Sequence, residues 1–441
     1  ELKDRRQPIV SLKLAEPQAT ASRTIKVRVE VTEPATGNIP VADLAANLAG
    51  GRDVRLFRNG TLVKAWRGDV LKGQRQAVLE TTLPIVAGEN RLTAYAFNRD
   101  NIKSSDAMLS VTGAETLRRK GTAYVVAFGV NRYANEEYNL KYAAADAQSF
   151  ADEVRAQQAK LQQYERVEVI SLFDQDATKA NLLLVLQRLS AASSSNVPAP
   201  ANAPAALAKL QPAQPEDAVL LFFAGHGTAA GARFYLIPHD LGYSGSRDDL
   251  DEKALQTVLA RSVSDLELES ALESLDAGQL LFVIDACNSG QALEAEEKRR
   301  GPMNSKGLAQ LAYEKGMSIL TAAQSYQAAL EAAQLGHGYL TFSLVEEGLK
   351  KGLADRAEKD GQIITREWFD YATERVPQMQ ESENQARGLQ KKKLLAFAPA
   401  EAKAEEKAEE KTAEPAQRSV QRPRVFYRRE VEAKPLVVAK P

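Results

Sequence analysis

Cysteine and histidine are scarce: 441 residues hold one cysteine, Cys287, and three histidines, His226, His239 and His337. A lone thiol excludes an intramolecular disulfide framework and fits a reducing, cytoplasmic setting. No C-x-x-C or H-E-x-x-H spacing occurs, so the usual zinc sites are excluded and no motif requires a cofactor. Long apolar runs are missing as well. None approaches the roughly 18 residues of a transmembrane helix, so no membrane span is expected. Neither sign of charge is in excess, with 57 Lys and Arg against 58 Asp and Glu. Nothing global therefore favours nucleic acid or an anionic membrane surface as a partner. The first residue is Glu1 rather than Met, which leaves removal of a leader open and the localisation undetermined.

What is present is a hydrophobic content of 44%, ample for a sizeable core, in a chain long enough for two folded domains plus tails. From 8 to 113 the pattern has period two. Ile25, Val27, Val29 and Val31 alternate with Lys26, Arg28 and Glu30, and the turn Arg58-Asn59-Gly60-Thr61 separates two further runs. Short strands joined by turn signals predict an all-β, immunoglobulin-like sandwich, without the paired cysteines of antibody domains. Such a module is more often a spacer or recognition element than a catalyst.

From 120 to 398 the grammar changes to alternating strand and helix. Strands are expected at 123–130, 166–173, 218–224, 279–285 and 317–322. Helices are expected near 141–158, 177–191, 264–276 and 339–350, with Asp176 or Thr178 as the cap of the second. Ser193 to Gln214, rich in Ser, Pro and Ala, reads as a flexible insertion. The expectation is an α/β domain with a mostly parallel sheet flanked by helices. From 399 to 441 the chain reads as a low-complexity, disordered tail, in which five arginines between Arg418 and Arg429 surround Phe426-Tyr427. The alternative is a segment that docks on a partner or folds back onto the domain before it.

Two of the apolar runs end on chemistry. VLLFFAGHG closes with His226 and LLFVIDACNSG closes with Cys287. Side chains just beyond the carboxyl ends of buried parallel strands project into the crevice where α/β domains bind ligands. Neighbouring strands would bring an imidazole and a thiol together, the pairing a cysteine hydrolase uses as base and nucleophile. Taken alone, Cys287 would more often be an inert core thiol. The flanks argue otherwise, because Asn288, Ser289 and Gly290 break the run after the thiol and Gly225 and Gly227 bracket His226. His239 and His337 read as turn or cap residues. The acidic run Arg247 to Glu252 lacks the alternation and central Gly of an EF-hand loop and reads as solvated surface, with calcium as the alternative.

The segments AYVVAFGVNRY, LKYAAADAQSF, FFAGHG, VIDACNSG and ILTAAQ…GHGYLTFSLVEEGL together resemble the caspase, metacaspase and paracaspase superfamily of cysteine endopeptidases, in a bacterial, prokaryotic caspase-like form. The resemblance covers roughly 120–398 and leaves the N-terminal sandwich outside. It implies His226 and Cys287 as catalytic dyad, with the backbone N–H groups of Gly227 and Cys287 as the expected oxyanion donors. Caspases that cut after Asp carry a Gln-Ala-Cys motif, whereas Asp285 stands two positions before Cys287 here. Asp146 matches the second pocket acid of metacaspases and paracaspases. Two carboxylates in a narrow cleft favour Arg or Lys before the cut. Gln324, Ser325 and Tyr326 are candidates for a substrate-binding edge. The loop 294–302, ending in Lys298-Arg299-Arg300-Gly301-Pro302, is a candidate for self-processing. The implied partners are a protein or peptide substrate and an activator protein, with calcium as an activator in the manner of many metacaspases. Two other readings stand beside this one: a catalytically silent caspase-fold scaffold, and a CHAT-type protease with another specificity.

Overall fold

A strand covered on both faces can be apolar at every position, and TAYVVAFG at 122–129 is buried at all eight. The computed structural model describes residues 4–15, 21–34, 48–190, 202–230, 233–246, 249–288, 306–322, 335–357, 359–396, 421–426 and 435–441.

The N-terminal region is all β and antiparallel. Strands β1 (Ile9–Leu14), β2 (Thr24–Thr32) and β5 (Gln76–Pro84) form one sheet in the order β1-β2-β5. A second sheet has the order β4-β3-β6-β7, from β3 (Arg52–Arg58), β4 (Thr61–Asp69), β6 (Gly88–Phe97) and β7 (Ala107–Gly113). The period-two pattern explains the packing. Val27, Val29 and Val31 of the first sheet share a core with Leu56 and Leu92 of the second, while the intervening charged residues stay out of it. Asn59 and Gly60 both take positive φ, 48° and 86°, in the two-residue connection between β3 and β4. That backbone twist matches the twist of the flanking strands, which is why Asn-Gly suits the hairpin.

The second region is built on a mixed sheet. Strands β8 (Thr122–Gly129), β9 (Arg166–Phe173), β10 (Ala218–Ala230), β13 (Gln279–Asn288) and β14 (Ser318–Thr321) run parallel in the order β9-β8-β10-β13-β14. The short β11 (Arg233–Ile237) and β12 (Val263–Ser264) add antiparallel pairs beyond the end of β8. Helices α1 (Ala143–Leu161), α6 (the turn Tyr339–Thr341 continuing as a π-helical segment, Phe342–Lys350) and α7 (Thr365–Ala396) cover one face, with Phe150, Leu344 and Trp368 against Phe222 and Val283. The other face is covered by α2 (Lys179–Leu189), α4 (Asp265–Leu272) and α5 (Lys306–Lys315), while α3 (Glu252–Arg261) lies beside β11. Thr178 caps α2 by accepting the Asn181 N–H at 3.2 Å.

Two expectations change. The strands at 218–224 and 279–285 run on to Ala230 and Asn288, so His226 and Cys287 lie within strands rather than just past them. The cause is a change of partner: β8 flanks β10 up to Ala224, and β11 takes over from His226 to Ala230. The tail also departs from a uniformly solvated stretch. β16 (Arg424–Phe426) pairs antiparallel with β14, and β17 (Val437–Ala439) pairs with β15 (Ile363–Ile364). Val438 and Ala439 are fully buried, and Gln158 of α1 donates to the carbonyls of Val437 and Val438. The average composition of the tail hides these short apolar runs.

Charged contacts join the two regions. Arg58, 2% exposed at its side chain, pairs with Asp276 at 2.6 Å and donates to the Pro84 carbonyl. Buried Lys315 donates to the carbonyls of Leu62 and Glu273, and burial pushes its ammonium down to about 8. Deleting one partner of a buried pair strands the other and costs about 3–5 kcal/mol, whereas exposed pairs contribute about 0–1 kcal/mol. Arg58→Ala is therefore expected to lower the denaturation midpoint clearly, while Arg67→Ala, at the exposed pairs with Glu269 and Glu273, leaves it nearly unchanged. Equal losses in a urea titration would contradict this account of the junction.

Candidate active site

His226 sits where β10 exchanges β8 for β11, and it is fully buried. Its backbone N–H donates to the Tyr133 hydroxyl at 2.7 Å, and its Nε2 lies 2.8 Å from the Tyr138 carbonyl oxygen. A carbonyl only accepts, so Nε2 carries a proton, and in the neutral ring Nδ1 is the basic nitrogen. The rings of Tyr133 and Tyr138 flank the imidazole at centroid distances of 5.0 and 6.0 Å. Gly225 makes room for this arrangement: a Cβ there would meet the Tyr133 hydroxyl at 2.9 Å. Neither tyrosine stands out in the sequence. Their only signal is position, just beyond the carboxyl end of β8.

The parallel register pairs His226 directly with Cys287, and Gly227 with Asn288. Adjacent strands lie about 4.8 Å apart, so the ladder sets the two backbones side by side. Alternation places the site on one face of the sheet. Leu220, Phe222 and Ala224 of β10, with Leu281 and Val283 of β13, pack on the side covered by α1 and α6. Residues 226, 285 and 287 follow in the same parity. Gly227 belongs to the opposite parity, where a Cβ would stand 3.0 Å from Ala286 Cβ. Gln324, Ser325 and Tyr326 lie outside the described residues, as does the loop 294–302.

Asp146 and Asp285 are both buried, at 4% and 6% exposure. Asp146 occupies the first turn of α1, where a carboxylate is favoured by the helix dipole. Its Oδ2 accepts the Gly338 N–H at 3.1 Å, and its Oδ1 lies 2.8 Å from His337 Nδ1. Burial outweighs these contacts and pushes the Asp146 carboxyl up. Asp285 Oδ2 accepts the Thr341 hydroxyl at 2.9 Å. Burial, followed by repulsion from Asp146, pushes Asp285 up to about 7. The two acids are thus close enough to feel each other. His337, expected to be a turn or cap residue, belongs to this cluster instead, and its bond to Asp146 raises its own affinity for a proton.

The remaining candidates are peripheral. His239 is half-buried, with Nδ1 2.6 Å from the carbonyl of Arg132, 107 positions away, a long-range contact rather than a local turn or cap. Asp251 caps α3 by accepting the Ala254 N–H at 2.7 Å, while 247 and 248 lie outside the described residues. Among the described residues no group of three or more His, Cys, Asp or Glu is arranged to hold a metal ion, and no helix is long and apolar enough to cross a membrane.

Residues 122–384, more than half of the chain, match the caspase domain of peptidase family C14. The chain belongs to the caspase-domain family. That family is one of cysteine-type peptidases acting on proteins, and it includes inactive members. The match ends short of the N-terminal sheets and of the tail. No curated protein sequence matches. Among solved structures, the fibronectin(III)-like modules of Clostridium thermocellum CbhA align at 14% identity, over 23% of this chain and 96% of theirs, with a TM-score of 0.16. A Yersinia enterocolitica family 28 exopolygalacturonase aligns at 13% identity, over 65% of this chain and 56% of its own, with a TM-score of 0.15. Scores this low carry no inference about fold or activity.

The raised Asp285 has a thermodynamic consequence. A carboxyl whose folded value exceeds its unfolded one stabilises the fold below the unfolded value, and that contribution is lost as pH rises through the folded value. For Asp285 the window runs from about 4 to about 7. Unfolding free energy should fall across this range by about 1 kcal/mol or more, because each tenfold difference in proton affinity between the folded and unfolded chain is worth about 1.4 kcal/mol. In Asp285→Asn that part of the slope should disappear. Urea titrations at about pH 5 and pH 7.5 measure it, and identical slopes in both proteins would contradict the burial argument.

Proposed function

We propose that this chain is a cysteine endopeptidase in which His226 and Cys287 form the catalytic dyad and Asp146 and Asp285 receive an Arg or Lys side chain before the cut. The observation that carries the reading is the direct ladder pairing of His226 with Cys287 inside a caspase domain. Because Nε2 is committed to the Tyr138 carbonyl, Nδ1 is the nitrogen that takes the thiol proton. The thiolate then attacks the substrate carbonyl carbon, and the negative oxygen is proposed to lie against the backbone N–H groups of Gly227 and Cys287. Losing one such donor typically costs about 10²–10³ in rate. As the tetrahedral species collapses, the peptide C–N bond breaks and the imidazolium returns its proton to the leaving amine. Water, deprotonated by the same imidazole, hydrolyses the thioester and restores the thiol.

The specificity reading rests on charge. Asp285 shares a sheet face with position 287 and interacts with Asp146, so a cation entering there offsets the burial, and with it the repulsion, that favours a proton on Asp285. A forked guanidinium can satisfy both carboxylates. No cofactor is required by this chemistry, with calcium as an activator left for assay. The strand order β1-β2-β5 opposite β4-β3-β6-β7 supports an immunoglobulin-like reading of the N-terminal region, for which binding of an activator protein is a suitable role.

Fluorogenic peptides ending in Arg, Lys or Asp, assayed with and without calcium, test the activity. Cleavage after Arg or Lys is expected, Cys287→Ala and His226→Ala should abolish it, and Asp285→Asn should weaken cleavage after Arg roughly tenfold to a hundredfold, the worth of one charge-assisted hydrogen bond. A preference for Asp would overturn the pocket assignment, and Cys287→Ala turnover within tenfold of the parent would overturn the dyad. The same specificity makes the bonds after Lys298, Arg299 and Arg300 candidate self-processing sites. Mass spectrometry of the active protein beside Cys287→Ala should show those cuts only in the former, and identical fragments in both would assign them to another protease.

A further inference from the structure

The pocket acid Asp146 already has an imidazole partner. His337 Nδ1 is 2.8 Å from Asp146 Oδ1, on a segment that also supplies the Gly338 N–H to the same carboxylate. The imidazole keeps 17% of its side-chain surface exposed, against 5% for Asp146, so it is the more solvent-accessible member of the pair. The charged groups around it come from three elements. Asp146 faces it from α1. Glu346 of α6 stands 4.0 Å from its Nε2, and Glu346 is itself tied to Lys350 at 2.6 Å. Asp285 of β13 acts on the cluster through its repulsion with Asp146.

We propose that His337 is the resident counter-cation of the two-carboxylate pocket and a specificity-determining residue. Protonated, it neutralises Asp146 and weakens the attraction for an incoming guanidinium or ammonium; neutral, it leaves both acids to the substrate. This rests on the reading of Asp146 and Asp285 as the pocket for a basic side chain. The contact with Asp146 raises the proton affinity of His337 above that of a free imidazole, and an imidazole is the side chain whose charge responds to pH near neutrality. Asp285, pushed up to about 7, acts in the same sense, because raising the pH removes positive charge at His337 and adds negative charge at Asp285. Selectivity for a basic side chain should therefore increase with pH, and His337 should account for a separable share of that increase.

The test compares kcat/KM for two peptides that differ only in Arg or its neutral isostere citrulline before the cut. Taking the ratio cancels the ionisation of the dyad itself. In the parent the Arg/citrulline ratio should climb about tenfold or more between pH 6 and pH 8.5. His337→Asn keeps a neutral donor near the Nδ1 position, so its ratio should be at least about fivefold above the parent at pH 6 and converge with it at pH 8.5. Arg preference with superimposable profiles in the two proteins would overturn the role of His337 alone. A ratio near one at every pH in both would overturn the basic pocket, and this proposal with it. A second measurement covers poor folding of the variant: the His337 imidazole signal in Cys287→Ala protein, titrated with and without N-acetyl-arginine amide. Binding a cation should lower the pH at which His337 titrates, since the coupling is reciprocal. A titration unmoved by saturating ligand would overturn the proposal.

Discussion

Everything at the candidate site depends on one exchange of strand partners. β10 is paired with β13 from Ala218 to Gly227, and the neighbour on its other edge changes from parallel β8 to antiparallel β11 between Ala224 and His226. The sheet therefore continues through the histidine while β8 ends beside it, and the chain leaving β8 turns back over the gap with Tyr133 and Tyr138. One gives its hydroxyl to the backbone of His226, and the other gives its carbonyl to the ring. The imidazole is thus fixed by two groups from a single segment, in the protonation pattern that leaves Nδ1 basic. A buried ring held in this way loses little freedom on reaching a reactive geometry, which is where preorganisation contributes to rate.

The second constraint is electrostatic. Asp146 at a helix start and Asp285 on a central strand are both withdrawn from water, and their hydrogen-bond partners among the described residues include His337, Gly338 and Thr341. Burying two acids together is costly unless protons, donors or a cation offset the repulsion. Here Thr341, Gly338 and His337 supply part of that compensation, and a protonated Asp285 supplies more. Such an arrangement stabilises the fold poorly at neutral pH, a cost that the proposed binding role of the pair would account for.

Much of this was legible in sequence. Continuous apolar runs mark β8, β10 and β13, the Asn59-Gly60 pair marks the hairpin, and the ends of runs together with the resemblance single out His226, Cys287, Asp146 and Asp285 as candidates. The contribution of Tyr138 is not legible there, because it acts through a backbone carbonyl, which any residue carries. His337 looked like a cap because its partner lies 191 positions away in sequence. The prolongation of β10 past His226 was hidden because the apolar pattern stops at Ala224 while the hydrogen-bond ladder does not. β16 and β17 were missed because three-residue strands leave too little pattern against a polar background.

The central claim is that Cys287, paired in register with His226, performs the proposed chemistry. Its most direct test is covalent labelling with a peptidyl-arginine chloromethyl ketone and with its aspartate counterpart, followed by peptide mapping. The account predicts a single adduct on Cys287, formed at least about ten times faster with the arginine reagent and suppressed in His226→Ala. An adduct on another residue, or faster labelling by the aspartate reagent, would contradict it.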